Sequence, residues 1–395
     1  MLSPLMSLLA IALVTLLVLG LVLLWLELRH RLRPSSPLRL QPQGWSVEQH
    51  NGHWLVQGEL EISNPHGRME VFVPELTVVP TLLGKGDLSG VAISSRIDPL
   101  HPDETSRADG YWFAYIVKGH KRTRAKVSIR LQGLNLEALL DTLWVDVHWW
   151  NYGPFGRQLR RQGFLVPLRQ PEPIEPAKAN WRQGDNSQVL AVPTHLLGVL
   201  DDVEAVLRRY ALPHLQRGDI LTIAESPLAV IQGRYHHPSQ LRVSGLARQL
   251  CRVFHPTSSL ATACGLQSLI DLVGPARVLM AWLLGSLLKL VGSPGGFYRL
   301  AGEQARLIDD VTGSTPPYDQ TIVLGPKDSQ QVVEQLAASL GHGVAVVDVN
   351  DLGRVKVLAA SRGCDLPLLE RALKPNPAGN ANERTPLVIV RNGKH

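Results

Sequence analysis

The sequence predicts an N-terminal transmembrane helix, an all-β antiparallel sandwich domain and a C-terminal α/β domain. A charge-free apolar run from Leu5 to Leu26 predicts the helix, and apolar residues at every second position after Trp45 predict the sandwich. Strand and helix patterns that alternate after Val189 predict the α/β layer. The predicted parts are a transmembrane anchor (1–30), a basic proline-rich linker (31–44), the sandwich (45–170), a second linker (171–186) and the α/β domain (187–395).

The apolar run is long enough to cross a bilayer, because its residues would span about 33 Å as a helix. A cleaved signal peptide would carry Lys or Arg before the apolar run, but none precedes it here. The basic residues follow the run instead, at Arg29, His30, Arg31 and Arg33. The positive-inside rule then predicts a single-pass membrane protein whose soluble domains face the cytoplasm. A buried soluble helix is the alternative, but such a helix usually shows a polar face.

The composition argues against nucleic-acid binding. The formal net charge is +6 and the pI is about 9.3, but the basic residues are spread along the chain and do not form one stripe. Three cysteines predict a reducing compartment and no disulfide framework.

Short alternating segments predict the sandwich. In "HWLVQGELEISNP" the residues Trp54, Val56, Leu60 and Ile62 fall on one face of a strand. The same pattern recurs, with turn residues between segments, in "MEVFVPELTVV", "GYWFAYIVKG", "AKVSIRLQG", "LWVDVHWW" and "GFLVPL". Such spacing favours an antiparallel sandwich or barrel, with Trp149 and Trp150 divided between core and surface.

Helices and strands mix in the third region. "GDILTIAES" predicts a strand, and Thr257 or Ser258 is expected to cap a helix that ends at Gly274. "ARVLMAWLLGSLLKLVG" is very apolar, but Arg277 and Lys289 enclose too few residues to span a bilayer, so a buried or interfacial helix is expected.

The C-terminal segments predict a strand–helix–strand layer. A strand at 321–324 is followed by a helix capped at Asp328 or Ser329. "VAVVDVND" predicts a strand that is buried on both faces, and further strands are expected in "RVKVLAAS" and "TPLVIVR".

Carboxylates at the predicted strand ends indicate a metal site that holds a phosphate. Ligands of open α/β sheets bind beyond the carboxyl ends of the strands, and Mg²⁺ takes oxygen ligands. One carboxylate would come from Asp309 or Asp310 and the other from Asp348 or Asp351. The expected phosphate-binding side chains are Arg306, Arg354 and Lys356. The alternative is that these acids cap backbone amides in turns.

Two other groups of residues are weaker candidates for a site. Cys251, His255 and Cys264 offer three zinc ligands, but a fourth is not evident, so helix packing is the preferred interpretation. The sequence His236-His237-Pro238 is expected to be a surface turn.

Five blocks occur in order after Val189: "AVPTHL", "RGDILTIAESPLAVIQGR", "AGEQARLIDD" with "TIVLGP", "VVDVNDLGRVKV" and "TPLVIVRNG". Through these blocks the chain from Val189 to Arg391 resembles the γ-glutamyl ligases that add glutamate to the deazaflavin coenzyme F-420. The resemblance covers about half of the chain and keeps the order of the blocks. Longer stretches, "RADGYWFAYIVKG" and "NPAGNANERTPLV", resemble a membrane-tethered subgroup.

The resemblance implies a GTP-dependent ligase. GTP with Mg²⁺ or Mn²⁺ phosphorylates a small carboxylate substrate, and the amine of glutamate attacks the acyl phosphate. Asp309 or Asp310 and Asp348 or Asp351 match the metal ligands. The residues expected near the nucleotide phosphates are Asn350, Arg354, Lys356, Arg306 and Arg234. Members of the family usually form homodimers.

The chain departs from the family pattern where lysines would meet phosphate. In the family's KxVSKxEGR segment the lysines fall on Ser226 or Pro227 and on Val230, and its glutamate falls on Gln232. These departures support an alternative, a non-catalytic nucleotide- or metabolite-binding module or a scaffold at the membrane.

Overall fold

The computed structural model describes residues 4–31, 33, 37–105, 107–184, 186–293, 295–311, 316–350, 353–379 and 383–393. The chain divides into two compact units, Met1–Pro37 and Leu38–His395. Asp351, one of the predicted metal ligands, lies outside the described residues.

The first unit contains helix α1 (Pro4–Arg31). Its segment Leu8–His30 has a mean hydropathy of 2.9, and none of its most apolar stretch is buried within the protein. Among the described residues this is the one single helix that is long and apolar enough to cross a membrane. The predicted long apolar helix at the N-terminus is therefore confirmed.

The first part of the second unit consists of two antiparallel sheets. Its elements are β1 (Arg39–His50), β2 (His53–Ser63), β3 (Val71–Val73), β4 (Leu76–Gly84), β5 (Ala92–Leu100), β6 (Tyr115–Val117), β7 (Arg122–Gln132), α2 (Leu136–Leu139), β8 (Leu140–Gly153) and β9 (Gly156–Pro167). One sheet has the strand order β1-β2-β7-β5 and the other β4-β8-β3-β6, with β9 paired to β8.

The alternating residues of both sheets meet in one core, as a sandwich requires. Val56, Leu60 and Ile129 are fully buried there. Strand β1 begins at Arg39, before the predicted start at Trp45, because Leu40 pairs with Ile62 and extends the buried face.

The remainder of the second unit is mixed α/β. Its elements are β10 (Arg182–Gly184), β11 (Ser187–Val192), α3 (Val203–Tyr210), β12 (Ile220–Ala224), α4 (Glu225–Ile231), β13 (Tyr235–His236), α5 (Gly245–Leu250), α6 (Ala263–Val273), α7 (Pro275–Leu290), α8 (Gly296–Ala301), β14 (Ile322–Val323), α9 (Ser329–Leu340), β15 (Gly343–Val349), β16 (Val355–Ala360), α10 (Leu366–Leu373) and β17 (Leu387–Asn392).

The main sheet of this part has the order β10-β11-β17-β12-β15-β16. Strands β12 and β15 are parallel, and the other neighbours described are antiparallel. The last strand of the chain, β17, lies in the middle of the sheet, because Leu387–Val390 is apolar and buried on both faces. The valine-rich strand β15 is likewise buried on both faces, as predicted.

One local prediction in the helical segment is wrong. Helix α6 is capped by Thr262, whose hydroxyl accepts a bond from the Gly265 N–H at 2.9 Å, and not by Thr257 or Ser258. The reason is that Ser258 caps a short separate turn through the Leu260 N–H.

His236 is not in a surface turn. It belongs to β13, and its Nε2 lies 3.0 Å from the Ser268 hydroxyl. Burial lowers the pKa of this imidazole to about 4.

The sandwich and the α/β part share a core. Trp144 and Leu165 of the sandwich pack with Val230, Tyr235 and Tyr318. The Tyr235 hydroxyl also donates a hydrogen bond to the Gly163 carbonyl at 2.9 Å. The predicted domains therefore fold against each other as one compact unit.

Candidate functional site

Three carboxylates come together at the carboxyl ends of β12 and β15. Ala224 and Val347 are partners in this parallel pair, so Glu225 and Asp348 follow at neighbouring positions. Asp309 reaches the same place from a loop that exchanges two backbone hydrogen bonds with Val323, at 2.8 and 2.9 Å. Chain segments far apart in sequence thus supply one acidic cluster, which we define as Glu225, Asp309 and Asp348.

The carboxylates of the cluster disfavour each other's charge. Burial, followed by the nearby Asp348 and Asp309, raises the pKa of Glu225 to about 9, although Lys356 lowers it. Burial and Asp348 also raise the pKa of Asp309 to about 6, although a hydrogen bond from Ser226 at 3.5 Å lowers it. A cation bound here would relieve this repulsion.

The donor atoms of the acidic cluster are hard oxygens, which fit Mg²⁺ or Mn²⁺. Within the described residues, no three acidic, histidine or cysteine side chains stand close enough together to hold a metal ion by themselves. A cation would therefore use one or two of these carboxylates and complete its shell with water or substrate oxygens, as Mg²⁺ usually does.

A cavity of about 530 Å³ adjoins the cluster at Asp309. This volume is in the range of small-molecule sites. Two cationic side chains, Arg306 and Arg354, line it together with hydroxyl groups and a few apolar side chains. The lining residues are Thr257, Ser258, Ser259, Leu260, Tyr298, Ala305, Arg306, Ile308, Asp309 and Arg354.

The wall of this cavity is held by contacts between its own residues. The Ser258 and Tyr298 hydroxyls are 3.2 Å apart, and the Arg306 guanidinium lies 5.9 Å from the centre of the Tyr298 ring. Guanidinium and hydroxyl donors beside a carboxylate suit an anionic ligand that arrives with a divalent cation.

Several of the predicted site residues meet here. Asp309, Arg306 and Arg354 line the cavity, and Asp348 lies within electrostatic range of Asp309. Lys356 acts on Glu225 and donates to Glu303 at 3.2 Å.

Asp310 is not brought into the acidic cluster. Neighbouring residues of an extended segment point to opposite sides, so Asp310 turns away from the side chain of Asp309. It accepts a hydrogen bond from the hydroxyl of Thr262, which caps α6, and another from the Val311 N–H. Its role in the structure is to anchor that helix.

Asn350 and Arg234 are also engaged elsewhere. The Asn350 side chain accepts the Arg354 N–H at 3.0 Å in the turn between β15 and β16, as the turn alternative expects. Arg234 donates to the Gly325 carbonyl at 3.0 Å and to Gln304 at 3.2 Å. Burial lowers its pKa, and these bonds connect β13 to the loop after β14.

Sequence reasoning missed Glu225 and the hydroxyl-bearing wall. Glu225 follows a buried strand directly, and the rule that selected Asp348 could have found it. No such signal marks the residues of the wall. Thr257 and Ser258 precede the acidic loop by tens of residues, and Tyr298 lies on the short helix α8.

The sandwich is similar to a domain of a known enzyme family. A family model of the F420-0:gamma-glutamyl ligase N-terminal Ig-like domain matches residues 39–170. The match covers about a third of the chain and coincides with β1 to β9. None of the curated proteins matches the chain.

Solved structures give only distant likenesses. The yeast GGA1 GAE domain is 12% identical and has a TM-score of 0.21; the match covers 35% of this chain and 96% of that one. The YadV chaperone is 10% identical with a TM-score of 0.19, covering 40% and 68%. A PapD-like domain of human CEP192 is 10% identical with a TM-score of 0.18, covering 34% and 87%.

Proposed function

We propose that the chain is a membrane-anchored relative of the F-420 γ-glutamyl ligases. It would use GTP and Mg²⁺ or Mn²⁺ to form an amide bond between a small carboxylate substrate and glutamate. The Ig-like domain match supports a related ligase function. Helix α1 supports the membrane anchor, and the basic residues after it support soluble domains in the cytoplasm.

The observation that carries the proposal is that carboxylates and guanidinium groups lie around one cavity. Asp309, Arg306 and Arg354 line it, and the other carboxylates of the acidic cluster interact electrostatically with Asp309. Two guanidinium groups can pair with phosphate oxygens, and carboxylates can hold the cation that accompanies them.

The proposed reaction has two steps. A carboxylate oxygen of the substrate attacks the γ-phosphorus of GTP, so an acyl phosphate forms and GDP leaves. The glutamate nitrogen then attacks the acyl carbon, the C–O bond to phosphate breaks, and inorganic phosphate leaves as the amine loses a proton.

The residues of the site would stabilise developing charge and hold the divalent ion. Arg306 and Arg354 would stabilise the charge on the transferring phosphoryl oxygens. Asp309 and Asp348 would hold the divalent ion, which when bound polarises that phosphoryl group. Glu225 would stand beside this pair as a third carboxylate, whose charge is disfavoured until a cation is bound.

A pair of adjacent variants tests the proposal. The full chain in detergent is incubated with GTP, Mg²⁺, glutamate and candidate carboxylates, and GDP release is measured. Asp309→Asn should abolish release, while the matched control Asp310→Asn, outside the cluster, should keep most of it. No GDP release from the unaltered chain with any acceptor, or equal loss in both variants, would contradict it.

A non-catalytic binding module is the second candidate, and the lysine-free segment favours it. Val230, at one of the family's lysine positions, is buried beside Trp144 and Tyr235, where a charge has no place. Ser226 or Pro227 occupies the other; Ser226 contacts Asp309 but brings no charge, and Pro227 brings none either. Metal-dependent GTP binding by calorimetry without GDP release would favour this candidate.

A further inference from the structure

Helix α7 exposes an unusually apolar face. Its outward side chains are large and hydrophobic, whereas Val278, Ala281 and Gly285 face the protein. We define the α7 face by its exposed fractions: Leu279 40%, Met280 61%, Leu283 48%, Leu284 45%, Leu287 58%, Leu290 84% and Val291 78%. A contiguous patch of this kind marks an interaction site.

This helix is too short to span a bilayer. Its 16 residues would cover about 24 Å, less than the hydrocarbon core. It also meets α6 at 112°, and α6 is part of the protein core through Leu266 and Leu269. An apolar helix fixed along one side to a folded core can lie on a membrane but cannot cross it.

The charged residues in the chain segment that carries the α7 face are all positive. Between Asp271 and Glu303 the chain contains no acidic residue, whereas Arg277, Lys289 and Arg299 occur there and are exposed. Such a border attracts anionic lipid headgroups. In the orientation that the basic residues after α1 predict, the chain faces the leaflet that carries these lipids.

We propose that the α7 face docks in the headgroup layer of an anionic bilayer. The inference rests on the proposed membrane anchor, because a chain held by α1 meets the same bilayer at high effective concentration. Docking would bring the cavity close to the lipid surface. Gly285 of α7 lies against the backbone of Phe297 in α8, and the next residue, Tyr298, lines the cavity.

Depth-dependent quenching tests the docking in the full chain. A fluorescent amino acid is introduced by nonsense suppression at Leu283 in α7, at Leu16 in α1 and at the exposed sandwich residue Leu134. The chain is reconstituted in phosphatidylcholine vesicles with or without phosphatidylglycerol, and brominated lipids serve as quenchers. We expect quenching at positions 16 and 283 but not at 134, and more at 283 with phosphatidylglycerol.

The outcomes separate the docking from the anchor. Quenching at position 16 without quenching at 283 overturns the docking and leaves the anchor standing. Quenching at neither position overturns both. Energy transfer between labelled chains at 283, without quenching, shows that a second copy covers the face and also overturns the docking.

Charge variants provide an independent measurement. With the label at Met280, the double variant Leu283→Glu, Leu287→Glu should reduce quenching severalfold, while Leu134→Glu should not. Lys289→Glu with Arg299→Glu should remove the preference for phosphatidylglycerol. Unchanged quenching in both double variants would overturn the proposal, and circular dichroism confirms that each variant is folded.

Discussion

Glu225 is an acid held where its charge is disfavoured. Its backbone position, directly after β12, is fixed by the sheet, and its neighbours Asp309 and Asp348 are fixed by other segments. Carboxylates with raised pKa values cluster at functional sites, and this supports the proposed site.

Stability should therefore depend on pH through Glu225. Its folded pKa, about 9, is above the ordinary value of 4.5, so the folded state binds more protons between these values. The stability it contributes is complete below the ordinary pKa and is lost as pH rises toward the folded pKa. Without metal, Glu225→Gln should stabilise the protein at about pH 8 by about 1–3 kcal/mol and by less at about pH 5.

Thermal melting at several pH values in chelator checks this prediction. The exposed carboxylate Glu370 gives a matched control, since Glu370→Gln should leave the pH dependence unchanged. An equal pH dependence in wild type and Glu225→Gln would contradict the assignment.

Arg306 carries a second residue-scale prediction. A charge-assisted bond to phosphate contributes about 1.5–3 kcal/mol, so Arg306→Ala should weaken GTP binding by about tenfold or more. Calorimetry in the presence of Mg²⁺ measures the affinity, and Arg371→Ala, an exposed arginine on α10, is the control. Loss of affinity in both variants would point to a general charge effect.

At the scale of elements, helices α7 and α8 are held together by a close approach at Gly285. A Cβ at this position would come within 2.5 Å of the Phe297 backbone nitrogen. Only glycine allows the two helices to pack this closely, and α8 in turn positions Tyr298 at the cavity.

Gly285→Ala should separate these helices. We expect a loss of about 1–3 kcal/mol in stability from overpacking, and weaker GTP binding because Tyr298 moves with α8. Ser286→Ala, the next and exposed residue, should change neither quantity. Melting temperature and calorimetry report the two effects, and normal values for Gly285→Ala would refute the role given to the contact.

At the scale of the whole molecule, the sandwich and the α/β part form one unit. Trp144 connects them, because it is buried in the shared core with its ring 5.4 Å from that of Tyr318 in a T-shaped contact. Shared burial of this kind couples the unfolding of both parts.

Gly163→Ala tests that coupling. A Cβ at Gly163 would overlap the Trp144 ring at 1.9 Å, so the ring must move into the shared core, at a cost of about 1–3 kcal/mol. Calorimetry should show one unfolding transition that shifts as a whole. Gly153→Ala, with open space around its Cβ, is the control, and a shift of only one of two transitions would show independent domains.

Sequence patterns predict those helices and strands whose signal lies in their own residues. The charge-free run of α1 indicates a long apolar helix, and the alternation of the sandwich strands and the valines of β15 indicate burial, each through its own residues. Their order along the chain also indicated a mixed α/β part. Asp309 and Asp348 interact electrostatically, as the rule that ligands bind beyond the carboxyl ends of buried strands led us to expect.

Tertiary structure decided which polar residues face the cavity. Asp310 and Arg234 have the residue types of the site, but they bond to Thr262 and to Gly325 because of how α6 and β13 pack. Glu225 joined the acidic cluster through strand pairing, which a linear pattern does not record. Backbone conformation and burial are largely local properties, whereas a side chain's partners depend on segments brought together only by folding.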